Sequence, residues 1–274
     1  MRVRVITGIV LSVFFASLMY FQGWYFRIVV MIATCFCMFE IYDAFRKKGM
    51  KPIQWLCVAY PAALLGAYTL GHYLGHKESF MMPVMLIFSM ISLVVMVARK
   101  EADYPSLSAT MFTMIYPGLM LALLYPLMDL PDAGMSTLAL ILSMTIAFMC
   151  DIAAYCVGIR FGKHKLCPNI SPNKTVEGAL AGLGASVLWA TLVAWVGSMF
   201  IPSLPPVWHF ALLGLVSGVC SQCGDLTASI VKRYCGVKDY GTIFPGHGGM
   251  MDRLDSVLFN IVTVYVYFRL MLIY

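Results

Sequence analysis

The stretch Phe80-Met-Met-Pro-Val-Met-Leu-Ile-Phe-Ser-Met-Ile-Ser-Leu-Val-Val-Met-Val-Ala98 runs for nineteen residues without a charged side chain. A helix that crosses a bilayer takes about 20 mostly apolar residues, so this segment has the length and chemistry of a span. Working outward, eight further runs of the same kind appear, at about 5–22, 25–45, 53–74, 107–128, 135–158, 178–201, 207–228 and 254–273. Composition agrees. The chain is 61% hydrophobic and 12% charged, with a mean hydropathy of +0.84, whereas soluble domains hold roughly 45–50% apolar and about 25% charged residues. An excess of this size cannot be hidden in one water-soluble core of 274 residues. The expected fold is an all-α polytopic membrane protein of about nine transmembrane helices.

The opening Met1–Phe21 has a charged start and an apolar core, as a signal peptide has. Its apolar part is span-length and another span follows at once, which predicts an uncleaved first helix. Lys and Arg collect in cytoplasmic loops. An N-terminus inside and a C-terminus outside place only Arg27, Lys77 and Arg269 on the outer side, leaving sixteen of the 19 basic residues in the cytoplasm. The two long loops, about 159–177 and 229–253, both fall on that inner face. The expected organisation is an N-terminal bundle over 1–134, then a catalytic region over 135–274 that carries both loops. No repeat, low-complexity tract or soluble domain interrupts it.

The net charge of +6 is small and dispersed, which argues against nucleic acid as a partner. Nine cysteines, an odd number without framework spacing, argue against disulfides. Most lie inside apolar runs, where Cys is a small packing residue.

The unusual chemistry sits in the last loop: Gly224-Asp225, Ser229, Lys232-Arg233, Lys238-Asp239, then Pro245-Gly-His247-Gly-Gly249 and Asp252-Arg253-Leu-Asp255. Asp225, Ser229 and Lys232 fall at i, i+4 and i+7, one face of a helix leaving the membrane. Asp252 and Asp255 share a face at the start of the final span. Carboxylates near a bilayer are costly unless compensated. A hard divalent cation with oxygen ligands, Mg²⁺ by preference, compensates them. Acidic clusters beside basic ones are the ingredients of phosphoryl or nucleotidyl transfer, where cations neutralise the charge developing on phosphate oxygens. The Pro-Gly-His-Gly-Gly stretch offers backbone N–H groups for an anion nest.

From Ser229 to Asp255 the chain reads SIVKRYCGVKDYGTIFPGHGGMMDRLD. This resembles, without a gap, the phosphatidate cytidylyltransferase pattern S-x-x-K-R-x-x-x-x-K-D-x-x-x-x-(L/I/F)-P-x-H-G-G-x-x-D-R-x-D. The earlier long loop is also similar to that family: Asp151-x-x-Ala-Tyr155, Phe161-Gly162-Lys163-His164-Lys165, and Ser171-Pro-Asn173-Lys174-Thr175-Val-Glu177-Gly178. Members usually show S-P-K-K-T-x-E-G there, so Asn173 is a small departure. The resemblance covers the chain from about residue 148 onward.

It implies transfer of CMP from CTP to phosphatidate with release of pyrophosphate, a requirement for Mg²⁺, membrane lipid as the setting, and a homodimer. The location implied is the bacterial inner (plasma) membrane, with the active site facing the cytoplasm. Asp225, Asp252 and Asp255 are assigned to the metal, with Asp151 as a possible further ligand or the ion-pair partner of a nearby Lys or Arg. Lys232 and Arg233 are assigned to phosphate, with Ser229 as a hydroxyl donor. Ser171, Lys174 and Thr175 are candidates for nucleotide phosphate, and Glu177 for capping or orienting the loop. Lys238, His247 and Arg253 are further candidates for substrate contact. The nucleophile would be a phosphate monoester, largely deprotonated at pH 7 because its second pKa is near 6. No general base is then required.

Other motifs fail by letter. Gly158-Ile-Arg-Phe-Gly162-Lys163 is one residue short of a Walker A loop, and no Asp precedes a Gly, as the CDP-alcohol phosphotransferase signature requires. Two alternatives remain open on sequence. One is an ion-coupled transporter of an anionic solute, which would place charges near the bilayer midplane. The other is a CTP-dependent enzyme acting on another lipid.

Overall fold

The computed structural model describes residues 13–75, 79–100, 102–244, 246 and 248–271. After a helical segment at 13–20 come eight helices: α1 (Trp24–Lys47), α2 (Leu56–Tyr73), α3 (Met81–Ala98), α4 (Tyr104–Met128), α5 (Ala133–Phe161), α6 (Val176–Ser198), α7 (Val207–Cys235) and α8 (Met251–Met271). Among the described residues seven are long and apolar enough to cross a membrane, namely α1 and α3–α8. Helix α2 falls short of the nine expected spans because Tyr60, Pro61, Tyr68, His72 and Tyr73 dilute its apolar content. The first part of the expected span at 5–22 lies outside the described residues, and helix is seen over 13–20 of it.

The all-α expectation needs one correction. Between α5 and α6 lies a small antiparallel hairpin, β1 (Lys165–Cys167) and β2 (Ser171–Thr175), with Lys165 opposite Thr175 and Cys167 opposite Ser171. Pro168, Asn169, Pro172 and Asn173 in this stretch disfavour helix, and the backbone bonds of the connection are satisfied across two short strands instead.

Two compact units make up the chain. The first joins the residues up to Pro126 with Tyr234–Arg253; the second joins Leu127–Arg233 with Leu254–Tyr274. In the first, Phe26, Met38, Ile41, Tyr60, Leu64, Tyr68 and Tyr125 form the core. Asp103 caps α4 by accepting from the Ser106 N–H at 3.1 Å, with Pro105 in the first turn, where a missing N–H is harmless. Farther along α4, Pro117 sits in a π-helical turn at Met114–Leu119. Pro removes a hydrogen bond and crowds the preceding turn, and the wider turn accommodates both effects. Helix α3 is apolar all round, yet Leu86, Met90, Val94 and Val97 stay exposed, as lipid-facing residues do.

The second unit stacks α5, α6, α7 and α8. Asp132 caps α5 through the N–H groups of Gly134 and Met135 at 2.7 and 3.0 Å. Helices in lipid approach closely where small residues face each other. At Gly182 a Cβ would lie 2.9 Å from the Cys150 carbonyl oxygen, so α6 rides directly on the α5 backbone. Asn260 ties α8 to α5 by donating to the carbonyls of Leu142 and Ser143 at 3.0 and 2.8 Å. With 29 residues each, α5 and α7 run about 43 Å at 1.5 Å per residue, against about 30 Å of hydrocarbon. Their ends therefore stand in the headgroup region. The end of α5, the start of α6, the end of α7 and the start of α8 carry the candidate residues.

Candidate active site

In the second unit three carboxylates come from three helices. Asp151 on α5 accepts from Ser256 Oγ at 2.8 Å. Asp225 on α7 accepts from Ser229 Oγ at 3.4 Å and pairs with Lys174 Nζ at 2.6 Å. Asp255 on α8 accepts from the Ser256 N–H at 2.8 Å and lies 3.8 Å from Lys232 Nζ. Asp225, Lys232 and Asp151 are the charges that act on Asp255, which is only 8% exposed. The close approach of α7 to α8 depends on Gly224: a Cβ there would lie 2.6 Å from the Asp255 carbonyl oxygen.

The hairpin completes this cluster. Lys174 arrives from β2, and Arg233 Nε donates to the Ile170 carbonyl at 3.3 Å. The two loops read separately from sequence therefore meet, one supplying Lys174 and the other the α7 face that holds Asp225 and Lys232. The hairpin is itself held at its base. Glu177 accepts from the N–H groups of Lys163 and His164 at 3.1 and 3.2 Å and contacts His164 Nδ1 at 2.7 Å. Thr175 is buried and caps α6 through the Gly178 N–H at 3.2 Å.

The remaining candidates lie as follows. Ser171 opens β2, half-buried opposite Cys167. Lys238 and Arg253 are exposed in the first unit. His247 lies outside the described residues. Asp252 is also in the first unit, where Oδ2 accepts from the Tyr240 and Gly249 N–H groups at 2.8 and 3.0 Å. Asp252 and Asp255, three residues apart on one helix, thus have different partners.

Sequence reading missed two residues. Ser256 links Asp151 to Asp255 and had no signal beyond its position. Glu40 in α1 is buried and accepts from the Met250 and Met251 N–H groups at 3.0 and 2.7 Å. Its signal was available: an acid inside a mostly apolar span is expensive and marks a function by default.

Asp151, Asp225 and Asp255 outnumber Lys174 and Lys232, so the cluster is one negative charge in excess. All its acceptors are hard oxygens, which suits Mg²⁺. Among the described residues no three acidic, His or Cys side chains are gathered at metal-holding distance. The Lys174 ammonium lies on Asp225 at 2.6 Å, and the carboxylates around it are oxygen donors of the type a hard divalent cation takes.

With seven helices long and apolar enough to cross a membrane among the described residues, and a cluster of carboxylates and ammonium groups beside a polar hairpin, the chain is an integral membrane protein. The sequence model of the cytidylyltransferase family matches residues 2–271. The chain is 31% identical to the phosphatidate cytidylyltransferase of Synechocystis sp., over 98% of this chain and 97% of that one. It is also 31% identical to the phosphatidate cytidylyltransferase of Bacillus subtilis, over 99% and 98%. A Staphylococcus epidermidis phosphatidate cytidylyltransferase is 43% identical over a shorter stretch, 44% of this chain and 45% of that one. The chain belongs to the cytidylyltransferase family. It is a nucleotidyltransferase of the membrane.

Proposed function

We propose that this enzyme transfers CMP from CTP to phosphatidate, giving CDP-diacylglycerol and pyrophosphate, with Mg²⁺ and at the cytoplasmic face of a bacterial plasma membrane. The observation that carries the reading is the end-to-end similarity to two phosphatidate cytidylyltransferases. The cluster around Asp225 supports it chemically. An oxygen of the phosphatidate monoester attacks the α-phosphorus of CTP, the bond to the β-phosphate oxygen breaks, and pyrophosphate leaves. Two anions must approach each other, so the barrier is repulsion and alignment rather than proton removal.

Lys174 and Lys232 supply positive charge on either side of the carboxylates, and Arg233 keeps the hairpin that carries Lys174 against α7. Ser229 offers a hydroxyl one turn from Asp225. Glu177 and Thr175 hold the base of the hairpin rather than the substrate, while Ser171, Lys238, His247 and Arg253 belong to the substrate phosphates in this reading. The metal is assigned to Asp225 and Asp255 with Asp151, and to Asp252 through the helix start it shares with Asp255. Mg²⁺ bound there would neutralise charge on the phosphate oxygens. The nine spans rest on the apolar runs of the sequence, the cytoplasmic orientation and the inside N-terminus on the distribution of Lys and Arg, and the homodimer on the family resemblance.

The test is transfer of label from radioactive CTP into lipid by the purified protein with phosphatidate and Mg²⁺. Labelled CDP-diacylglycerol from the wild type, absent with Asp225→Asn and with Asp255→Asn, is the expected result. A folded wild type that moves no label into lipid would overturn the reading.

A further inference from the structure

The N-terminal half contributes one acidic side chain whose surroundings are unlike those of a packing residue. Glu40 sits in α1 among Phe36, Met38, Phe39 and Ile41, and is 7% exposed. Its two oxygens divide between two backbone donors, Oε1 taking the Met250 N–H and Oε2 the Met251 N–H. These lie at the start of α8, where helical N–H groups lack internal partners and the helix dipole favours negative charge. The approach is close. A Cβ added at Gly241 or at Gly249 would overlap the Glu40 carboxylate, so the turn is shaped around it.

The same turn is gripped elsewhere. Asp252 accepts from Tyr240 and Gly249, and Lys48, just past the end of α1, places its ammonium 5.3 Å from the Tyr234 ring centre. Lys48 thus meets the end of α7 and Glu40 the start of α8, on either side of this turn. An open groove of about 600 Å³ runs beside this contact, lined by Glu40, Tyr42, Arg46, Tyr240, Gly241 and Thr242 among others.

We propose that Glu40 is a positioning residue for nucleotidyl transfer, fixing from α1 the turn and helix start that present Asp252. This rests on the reaction proposed above. Among the described residues Glu40 hydrogen-bonds to backbone, so it acts on the reaction through the carboxylate it places. Groups that orient metal-site residues typically change metal affinity by about 10–100-fold when removed. A packing defect lowers the amount of folded enzyme but leaves the Mg²⁺ requirement of the folded fraction unchanged.

The experiment compares wild type, Glu40→Gln and Asp43→Asn in detergent. Asp43 serves as control because, among the described residues, it pairs with the exposed Arg46 and Lys47 on its own helix. Amide hydrogen exchange over 249–252 and the Mg²⁺ concentration for half-maximal CMP transfer are both read. In Glu40→Gln, exchange at Met250 and Met251 is expected to rise at least tenfold. The half-maximal Mg²⁺ concentration is expected to rise about tenfold, with little change in KM for phosphatidate. Asp43→Asn should match wild type in both. Gly241→Ala pushes on the same carboxylate from the turn and should give the same Mg²⁺ shift, which keeps the test open should Glu40→Gln fold poorly. Wild-type Mg²⁺ dependence in both variants would overturn the positioning role alone. A wild type that transfers no CMP would overturn the reaction itself, and the role with it.

Discussion

Lys174 Nζ lies 2.6 Å from Asp225 Oδ2, joining a hairpin strand to a membrane helix through two side chains that are each about one-quarter exposed. A pair this accessible contributes about 1 kcal/mol or less to folding. Its place in the carboxylate cluster gives it a larger role, because the ammonium released from Asp225 is free to meet a phosphate.

Lys174→Met is therefore expected to melt within a few degrees of wild type while losing about 100-fold or more in CMP transfer. KM for CTP should rise more than KM for phosphatidate. The double variant with Asp225→Asn should be little worse than Asp225→Asn alone, because residues acting as a unit are not additive. Initial rates against each substrate, with thermal melts in detergent, check this. A loss of stability that tracks the loss of rate would reduce the pair to a structural tie.

Gly182 gives the opposite signature. A side chain there meets the Cys150 carbonyl and Sγ, both at 2.9 Å, and neither can retreat without parting α5 from α6. Gly182→Val should destabilise the protein by about 1–3 kcal/mol, seen as a lower melting temperature. Cys150 precedes Asp151 in the chain, so the loss of folded protein should exceed any change in the KM of the enzyme that remains.

How far the sequence discloses this molecule depends on the range of the interaction. The spans of α3, α5 and α6 are legible because each apolar run must cross hydrocarbon whatever its neighbours do. The helical faces of Asp225 and Ser229 are legible because periodicity is local, and the hydrogen bond between them bears it out. The hairpin was missed because eleven residues with two Pro and two Asn read as a loop, and the pairing of Lys165 with Thr175 and of Cys167 with Ser171 makes them strands. Asp252 and Asp255 share a helical face, yet the fold of 240–249 gives Asp252 to that turn. Glu40 stands some 210 positions from the amides it binds, and no local pattern carries such information.

Glu177 offers a test of the hairpin itself. Its carboxylate holds the N–H groups of Lys163 and His164 and the His164 ring, and these contacts fix where β1 begins. Glu177→Ala should leave the membrane helices intact and expose Lys163 and Lys165 to trypsin several-fold faster. KM for CTP should rise, because Lys174 is delivered by the same hairpin. Cleavage at the wild-type rate would show that the strand pairing alone holds the loop.

Orientation is open to direct measurement. In a cysteine-free background, Lys163→Cys and Lys238→Cys should react with a membrane-impermeant maleimide only when the cytoplasmic face is accessible, as in inverted vesicles. Both positions belong to the sixteen basic residues assigned to the inner face. Labelling of either one in intact cells would reverse the proposed topology.

The acid limb of the pH profile tests the absence of a general base. The second ionisation of a phosphate monoester lies near pH 6, and the dianion is the better nucleophile. Below that value each unit of pH lowers the dianion about tenfold, so kcat/KM for phosphatidate should fall with unit slope in acid and level off above about pH 7. His164 touches Glu177 and is not asked to take a proton, so His164→Ala should leave the limb where it is. Protonation of an enzyme carboxylate would give a limb of the same sign, and the substrate separates the two. A phosphonate analogue, with carbon in place of the ester oxygen, ionises at higher pH. If phosphatidate supplies the limb, the profile moves up with the analogue, because kcat/KM reports ionisations of free enzyme and free substrate. A limb that stays fixed when the substrate is exchanged belongs to the protein, and the nucleophile would then need an enzyme group to ready it.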